Sequence, residues 1–169
     1  QVILLTGKRG EGKSTFMSQL IAEAIEQNCP VFAYSGELSD YHFKRWLDLQ
    51  LAGAANVRER VDRWGESSYD LSPETVKRIG DWYRGRAYIY DNNTIDGGEE
   101  LESLIATAEK TIQRYGVKMI CIDNLMTAMD VGMNDDLYRA QSMFVKQLKI
   151  LAVRYNVVVG LVAHPPKNK

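Results

Sequence analysis

Residues 7–15 run Gly-Lys-Arg-Gly-Glu-Gly-Lys-Ser-Thr, and this stretch with its flanks constrains the fold more than any other part of the chain. Before it stands the apolar run Val2-Ile3-Leu4-Leu5, which reads as a buried β-strand. After it, Phe16, Met17, Leu20, Ile21, Ala24 and Ile25 recur at the spacing of the inner face of a helix. A strand, a glycine-rich loop ending in Gly-Lys-Ser and a helix make up the context of a phosphate-binding loop, GxxxxGK(S/T). The chemistry follows from backbone geometry. Gly7, Gly10 and Gly12 let the chain bend around phosphates with its N–H groups turned inward. The helix N-terminus behind them adds a favourable dipole field. Lys13 is expected to reach the β- and γ-phosphates, and Ser14 to ligate Mg²⁺ through its hydroxyl. The nucleotide-binding stretch is therefore Gly7, Gly10, Glu11, Gly12, Lys13, Ser14 and Thr15, with the side chains of Lys8, Arg9 and Glu11 read as solvated.

The length, 169 residues, suits one domain with a proper core, taken as residues 1–169. Net charge is −1, which argues against a wholly basic protein that coats nucleic acid. A motor that needs only a few local basic contacts remains open. Cys29 and Cys121 give no disulfide framework, and Cys121, inside an apolar run, reads as a buried reduced thiol. A reducing compartment follows. No apolar run is long enough to span a membrane, so no membrane partner is expected. The chain opens on one core strand and closes just after another, and reads as part of a longer protein.

Strands and helices alternate along the rest of the chain. Val31-Phe32-Ala33-Tyr34, Ala87-Tyr88-Ile89-Tyr90, Lys118-Met119-Ile120-Cys121-Ile122 and residues 157–162 read as strands. Ser39 and Ser72-Pro73-Glu74 mark helix starts; the first helix carries Phe43, Trp46 and Leu47, and the second runs to about Gly85. Leu101, Leu104, Ile105, Ala108 and Ile112 line a helix that ends near Gly116, and Leu137, Ala140, Phe144, Leu148, Leu151 and Tyr155 line another. The charged stretch 54–71 is expected to hold a short helix bearing Arg58, Arg60 and Arg63. Near-continuous apolar strands flanked by helices imply an α/β fold, a mostly parallel sheet with helices on both faces.

In such sheets ligands bind beyond the carboxyl ends of strands. Asp123 ends the run Met119-Ile120-Cys121-Ile122 in the manner of a Walker B strand and is expected to hold Mg²⁺, directly or through water. Glu37 comes just after the second strand; if that strand lies close to the first, its carboxylate could activate the water that attacks a γ-phosphate. An acidic residue simply favoured near a helix N-terminus reads equally well from spacing alone. His164 ends the last strand, where it could sense the γ-phosphate or merely sit at the surface. His42 reads as an ordinary helix residue.

Taken together, these positions resemble the RecA-like ATPase domain of DnaB-type hexameric helicases. The residues that carry the likeness are Phe32-Ala33-Tyr34-Ser35-Gly36-Glu37-Leu38-Ser39, Tyr88-Ile89-Tyr90-Asp91, Ile122-Asp123-Asn124-Leu125 with Met129 and Gly132, and Val162-Ala163-His164-Pro165-Pro166-Lys167. The last two of these segments are similar to the Twinkle and phage primase-helicase branch. The resemblance implies a RecA-like P-loop NTPase that uses Mg²⁺ and ATP or another NTP. It implies Glu37 as catalytic base, Lys13 as a catalytic cation and His164 as phosphate sensor. It further implies a homo-hexamer of the parent around single-stranded DNA. The family's arginine finger and second DNA-binding loop would fall beyond or at the end of this chain, so the piece alone is expected to be monomeric and slow. The first candidate DNA loop, residues 126–136, carries Asp130, Asp135 and Asp136 and no Lys or Arg, which departs from a phosphate-contacting loop. Three other readings stay open: a RecA/RadA-like recombination ATPase, a small-molecule kinase with Arg58, Arg60 and Arg63 on a lid, and a nucleotide-binding scaffold without turnover.

Overall fold

A computed structural model describes residues 1–8, 10–91, 104–128 and 137–163. In chain order the elements are β1 (Val2–Thr6), α1 (Lys13–Glu26), β2 (Val31–Ser35), α2 (Asp40–Ala52), β3 (Val57–Val61), β4 (Ser67–Leu71), α3 (Pro73–Tyr83), β5 (Ala87–Ile89), α4 (Leu104–Tyr115), β6 (Met119–Asp123), α5 (Leu125–Ala128), α6 (Leu137–Arg154) and β7 (Val158–Ala163). Five strands form one parallel sheet in the order β1-β7-β6-β2-β5. The expected α/β architecture is thus the observed one.

The alternation of side chains along each strand sorts the core into two layers. On one face Phe32, Tyr34, Ile120, Ile122, Val159 and Leu161 pack against α4 and α6 through Ala108, Ile112, Phe144 and Leu148. On the other, Val31, Ala33, Cys121 and Val162 pack against α1, α2 and α3 through Met17, Ile21, Phe43, Leu47 and Ile79. Gly160 lets α1 come close, because a Cβ there would stand 3.1 Å from the Met17 sulfur. The Ser39 and Ser72 hydroxyls accept from the backbone N–H groups of His42 and Thr75, starting α2 and α3 where their sequences indicate.

Three expectations need correction. The apolar run of the first strand implies burial, yet Ile3 is 46% and Leu4 58% exposed. Apolar content told of a strand but not of its place. Among the described residues β1 pairs with β7 alone and so lies at the edge of this sheet.

The stretch 54–71 is not a short helix bearing three arginines. After a single 3-10 turn at Ala54–Asn56 it forms the antiparallel hairpin β3–β4. The turn explains this. Asp62 Oδ1 accepts from the N–H groups of Trp64 and Glu66, and Gly65 takes the positive φ of 83° that closes it. Arg58 and Arg60 alternate with Val57, Glu59 and Val61 as a strand requires, and Arg63 lies in the turn. Arg60 pairs with Asp70 at 3.3 Å, and Arg45 of α2 donates to the Tyr69 carbonyl at 3.0 Å. Phe16, expected on the inner face of α1, is 48% exposed.

Candidate active site

All five strands of the sheet run in one direction, so the carboxyl ends of β1, β2, β6 and β7 lie at a single edge. The loop after β1 leads directly into α1. Gly10 and Gly12 have φ of 85° and 77°, a region closed to most side chains, so the glycine spacing is a backbone requirement. Gly12 caps α1 without a side-chain acceptor, and the helix opens on Lys13, Ser14 and Thr15. Ser14 is exposed at the first turn and Thr15 is half-buried.

Lys13 is only 7% exposed. Its ammonium donates to the Gly7 carbonyl at 2.7 Å and to the Lys8 carbonyl, so it lies folded into the concavity of the loop. The Glu11 side chain, expected to be solvated, instead turns back, and its carboxylate accepts from the Lys8 N–H at 2.7 Å. A Cβ on Gly7 would stand 2.6 Å from that same oxygen, so residue 7 has no room for a side chain while Glu11 sits there. Arg9 lies outside the described residues.

Asp123 ends β6 and is buried, as is Asn124 beside it. β6 lies two strands from β1, about 10 Å across the sheet at ordinary strand spacing. α1 packs over β7, β6 and β2. β2 is not adjacent to β1: β7 and β6 stand between them. Glu37 therefore stands across both β7 and β6 from the strand that leads into the loop. The Asn124 Nδ2 donates to Glu37 Oε1 at 3.0 Å, the Gly36 N–H donates to the Asp123 carbonyl at 2.7 Å, and the Leu38 N–H donates to Ser35 Oγ at 3.1 Å. The end of β2 is thus fastened to the end of β6. His164 and residues 129–136 and 164–169 fall outside the described residues.

Sequence reasoning gives Asn124 no role of its own. Its signal is modest: a polar residue one step past an apolar strand that ends in Asp. The donor set at this edge is hard oxygen, the Ser14 hydroxyl and the Asp123 carboxylate. Among the described residues no cluster of three or more His, Cys, Asp or Glu is placed to hold a metal ion. That composition suits Mg²⁺, which takes one or two protein oxygens and completes its shell with phosphate and water. Away from this edge, Cys121 is buried, and burial pushes its thiol pKa well above the ordinary value. Among the described residues no helix is long and apolar enough to cross a membrane.

Comparison with known proteins agrees with this fold. A KaiC-like protein from the hyperthermophilic archaeon Pyrococcus horikoshii shares the fold with a TM-score of 0.63 and 18% identity, covering 99% of this chain and 64% of that one. A solved ATPase domain matches with a TM-score of 0.69, again at 18% identity, covering 98% of this chain and 57% of that one. At such identities the likeness establishes the fold, that of RecA-like P-loop ATPases, and this chain spans about three-fifths of the chains it matches. The RecA-like ATPase domain expected from sequence is borne out. The family match runs over residues 1–169, the whole sequence, and the chain belongs to the AAA domain family of P-loop NTPases.

Proposed function

We propose that this chain is the motor domain of a replicative DNA helicase. It hydrolyses Mg-ATP or another Mg-NTP and, as a hexameric ring of the longer protein, moves along single-stranded DNA. The observation that carries the reading is the junction of β2 and β6, where Glu37, Asn124 and Asp123 meet at the edge that also carries the Lys13 loop. In this reading the loop N–H groups and Lys13 hold the phosphates. Ser14 and Asp123 hold Mg²⁺, which supplies charge neutralisation on the phosphates. Glu37 takes the proton of the attacking water, a role open to a carboxylate held at the rim of the site with one oxygen already oriented. His164 stands at the end of β7 in sequence and is assigned to sense the γ-phosphate.

The test is Glu37→Gln in the longer protein, with nucleotide affinity and phosphate release measured side by side, with and without single-stranded DNA. The amide keeps the shape and accepts the Asn124 hydrogen bond but is a far weaker base. We expect unchanged affinity and a fall in turnover of about 10²- to 10⁴-fold. Near-normal turnover removes Glu37 from the mechanism. A wild-type turnover indifferent to single-stranded DNA removes the helicase reading and leaves an NTPase of another kind.

A further inference from the structure

We propose that Asn124 is a positioning residue for Glu37: its side-chain amide holds the carboxylate across the β2–β6 junction and turns it toward the phosphate-binding loop. This rests on the reading of Glu37 as the base. Glu37 is exposed, on the turn after β2, and a glutamate in that situation has several rotamers open to it. Asn124 is 4% exposed and fixed in place by its neighbours at the end of β6. The 3.0 Å bond from its Nδ2 to Glu37 Oε1 therefore ties an exposed carboxylate to a buried side chain.

The direction of the coupling follows from strand order. β6 lies on the side of β2 that faces β1 and its loop, and β5 lies on the other side. A tether to β6 leans the carboxylate toward the phosphates. The backbone bond from Gly36 to Asp123 and the Ser35–Leu38 turn hold the peptide itself. Only the Asn124 amide acts on the side chain among these three bonds. Misplacement of a catalytic group by about 1 Å can cost about 10²-fold in rate.

The test compares Asn124→Leu, which keeps the bulk and removes the donor, with Asn124→Gln, which keeps a donor one methylene further out. Single-turnover hydrolysis with enzyme in excess reads the chemical step, and a nucleotide titration reads binding. Asn124→Leu should lower the hydrolysis rate by about 10- to 100-fold with nucleotide affinity unchanged, and Asn124→Gln should recover part of the loss. In a Glu37→Gln background Asn124→Leu should cost nothing further, whereas a residue that merely supports the fold would add its cost there too. Independently of activity, the side-chain amide protons of Asn124 should shift in the NMR spectrum when Glu37 becomes Ala. The proposal is overturned by full hydrolysis in Asn124→Leu, by additive losses in the double variant, or by amide signals indifferent to Glu37. Full turnover in Glu37→Gln alone would instead overturn the reading of the base, and Asn124 with it. Should Asn124→Leu fail to fold, the Asn124→Gln pair and the NMR shift still decide.

Discussion

Lys13 offers the most direct test of the loop. Replacing it with Met keeps the stem and removes the ammonium. In the structure that ammonium donates to the Gly7 and Lys8 carbonyls. On binding it would exchange these two neutral acceptors for anionic phosphate oxygens. Hydrogen bonds to charged groups are worth about 1.5–3 kcal/mol each, against about 1 kcal/mol for ordinary ones. The exchange of two bonds therefore favours nucleotide by about 1–4 kcal/mol, which corresponds to about 5- to 1000-fold in affinity. The fold itself should lose little. Lys8 is exposed and Gly7 half-buried, so water can take over their carbonyls once the ammonium is gone. The assay is a fluorescent-ATP titration beside a urea melt without nucleotide. Binding should fall by about two decades while the melt midpoint barely moves. AMP, which lacks the β- and γ-phosphates, should bind both proteins alike. Wild-type ATP affinity in a correctly folded variant would refute the reasoning. So would an equal loss for AMP.

Other expectations concern the body of the fold. Asp48, whose side chain is 3% exposed, accepts from Lys44 at 2.6 Å and from the Tyr83 hydroxyl at 3.2 Å, whereas the Lys44 side chain is 40% exposed. Lys44→Met strands a buried carboxylate and should cost about 2–3 kcal/mol, but Asp48→Asn leaves a lysine that can turn to water and should cost about 1 kcal/mol; denaturant melts giving the reverse order would contradict this account. Burial pulls the Lys44 ammonium toward its neutral form, but the hydrogen bonds and charges of Asp48 and Tyr83 outweigh it and hold the pKa above the ordinary lysine value. The charged pair is thus fully present below about pH 10.5, the ordinary value, and the gap between wild type and Lys44→Met should close as pH rises through the raised one. Of the two thiols, half-buried Cys29 should react with a disulfide reagent in the native protein, and buried Cys121, whose pKa is raised by burial, only as the chain unfolds; two fast thiols in native buffer would show that β6 is open to solvent.

Much of this molecule was legible in one dimension because its signals are local. The phosphate-binding loop is a contiguous run whose glycines answer a backbone need, and Gly10 and Gly12 do adopt positive φ. The helix starts at Ser39 and Ser72 depend on residues three apart. The sheet strands are apolar runs with the pattern of a covered sheet, and five of them pair in parallel. Asp123 and Glu37 could be placed at strand ends by counting residues. Strand order could not, because pairing depends on which distant runs bury the most surface together. That order alone put β1 at the edge with Leu4 in solvent, and set two strands between the loop and Glu37. The hairpin over 57–71 was a local signal missed: the Asp62–Gly65 turn and the alternating strand were in the sequence, masked by three arginines that suggested a helix face. The Glu37–Asn124 bond joins residues 87 positions apart. It exists only because β2 and β6 run side by side in register, with Ser35 opposite Asp123. Sequence thus specified the chemistry available at each strand end, and tertiary structure decided which of those groups can touch.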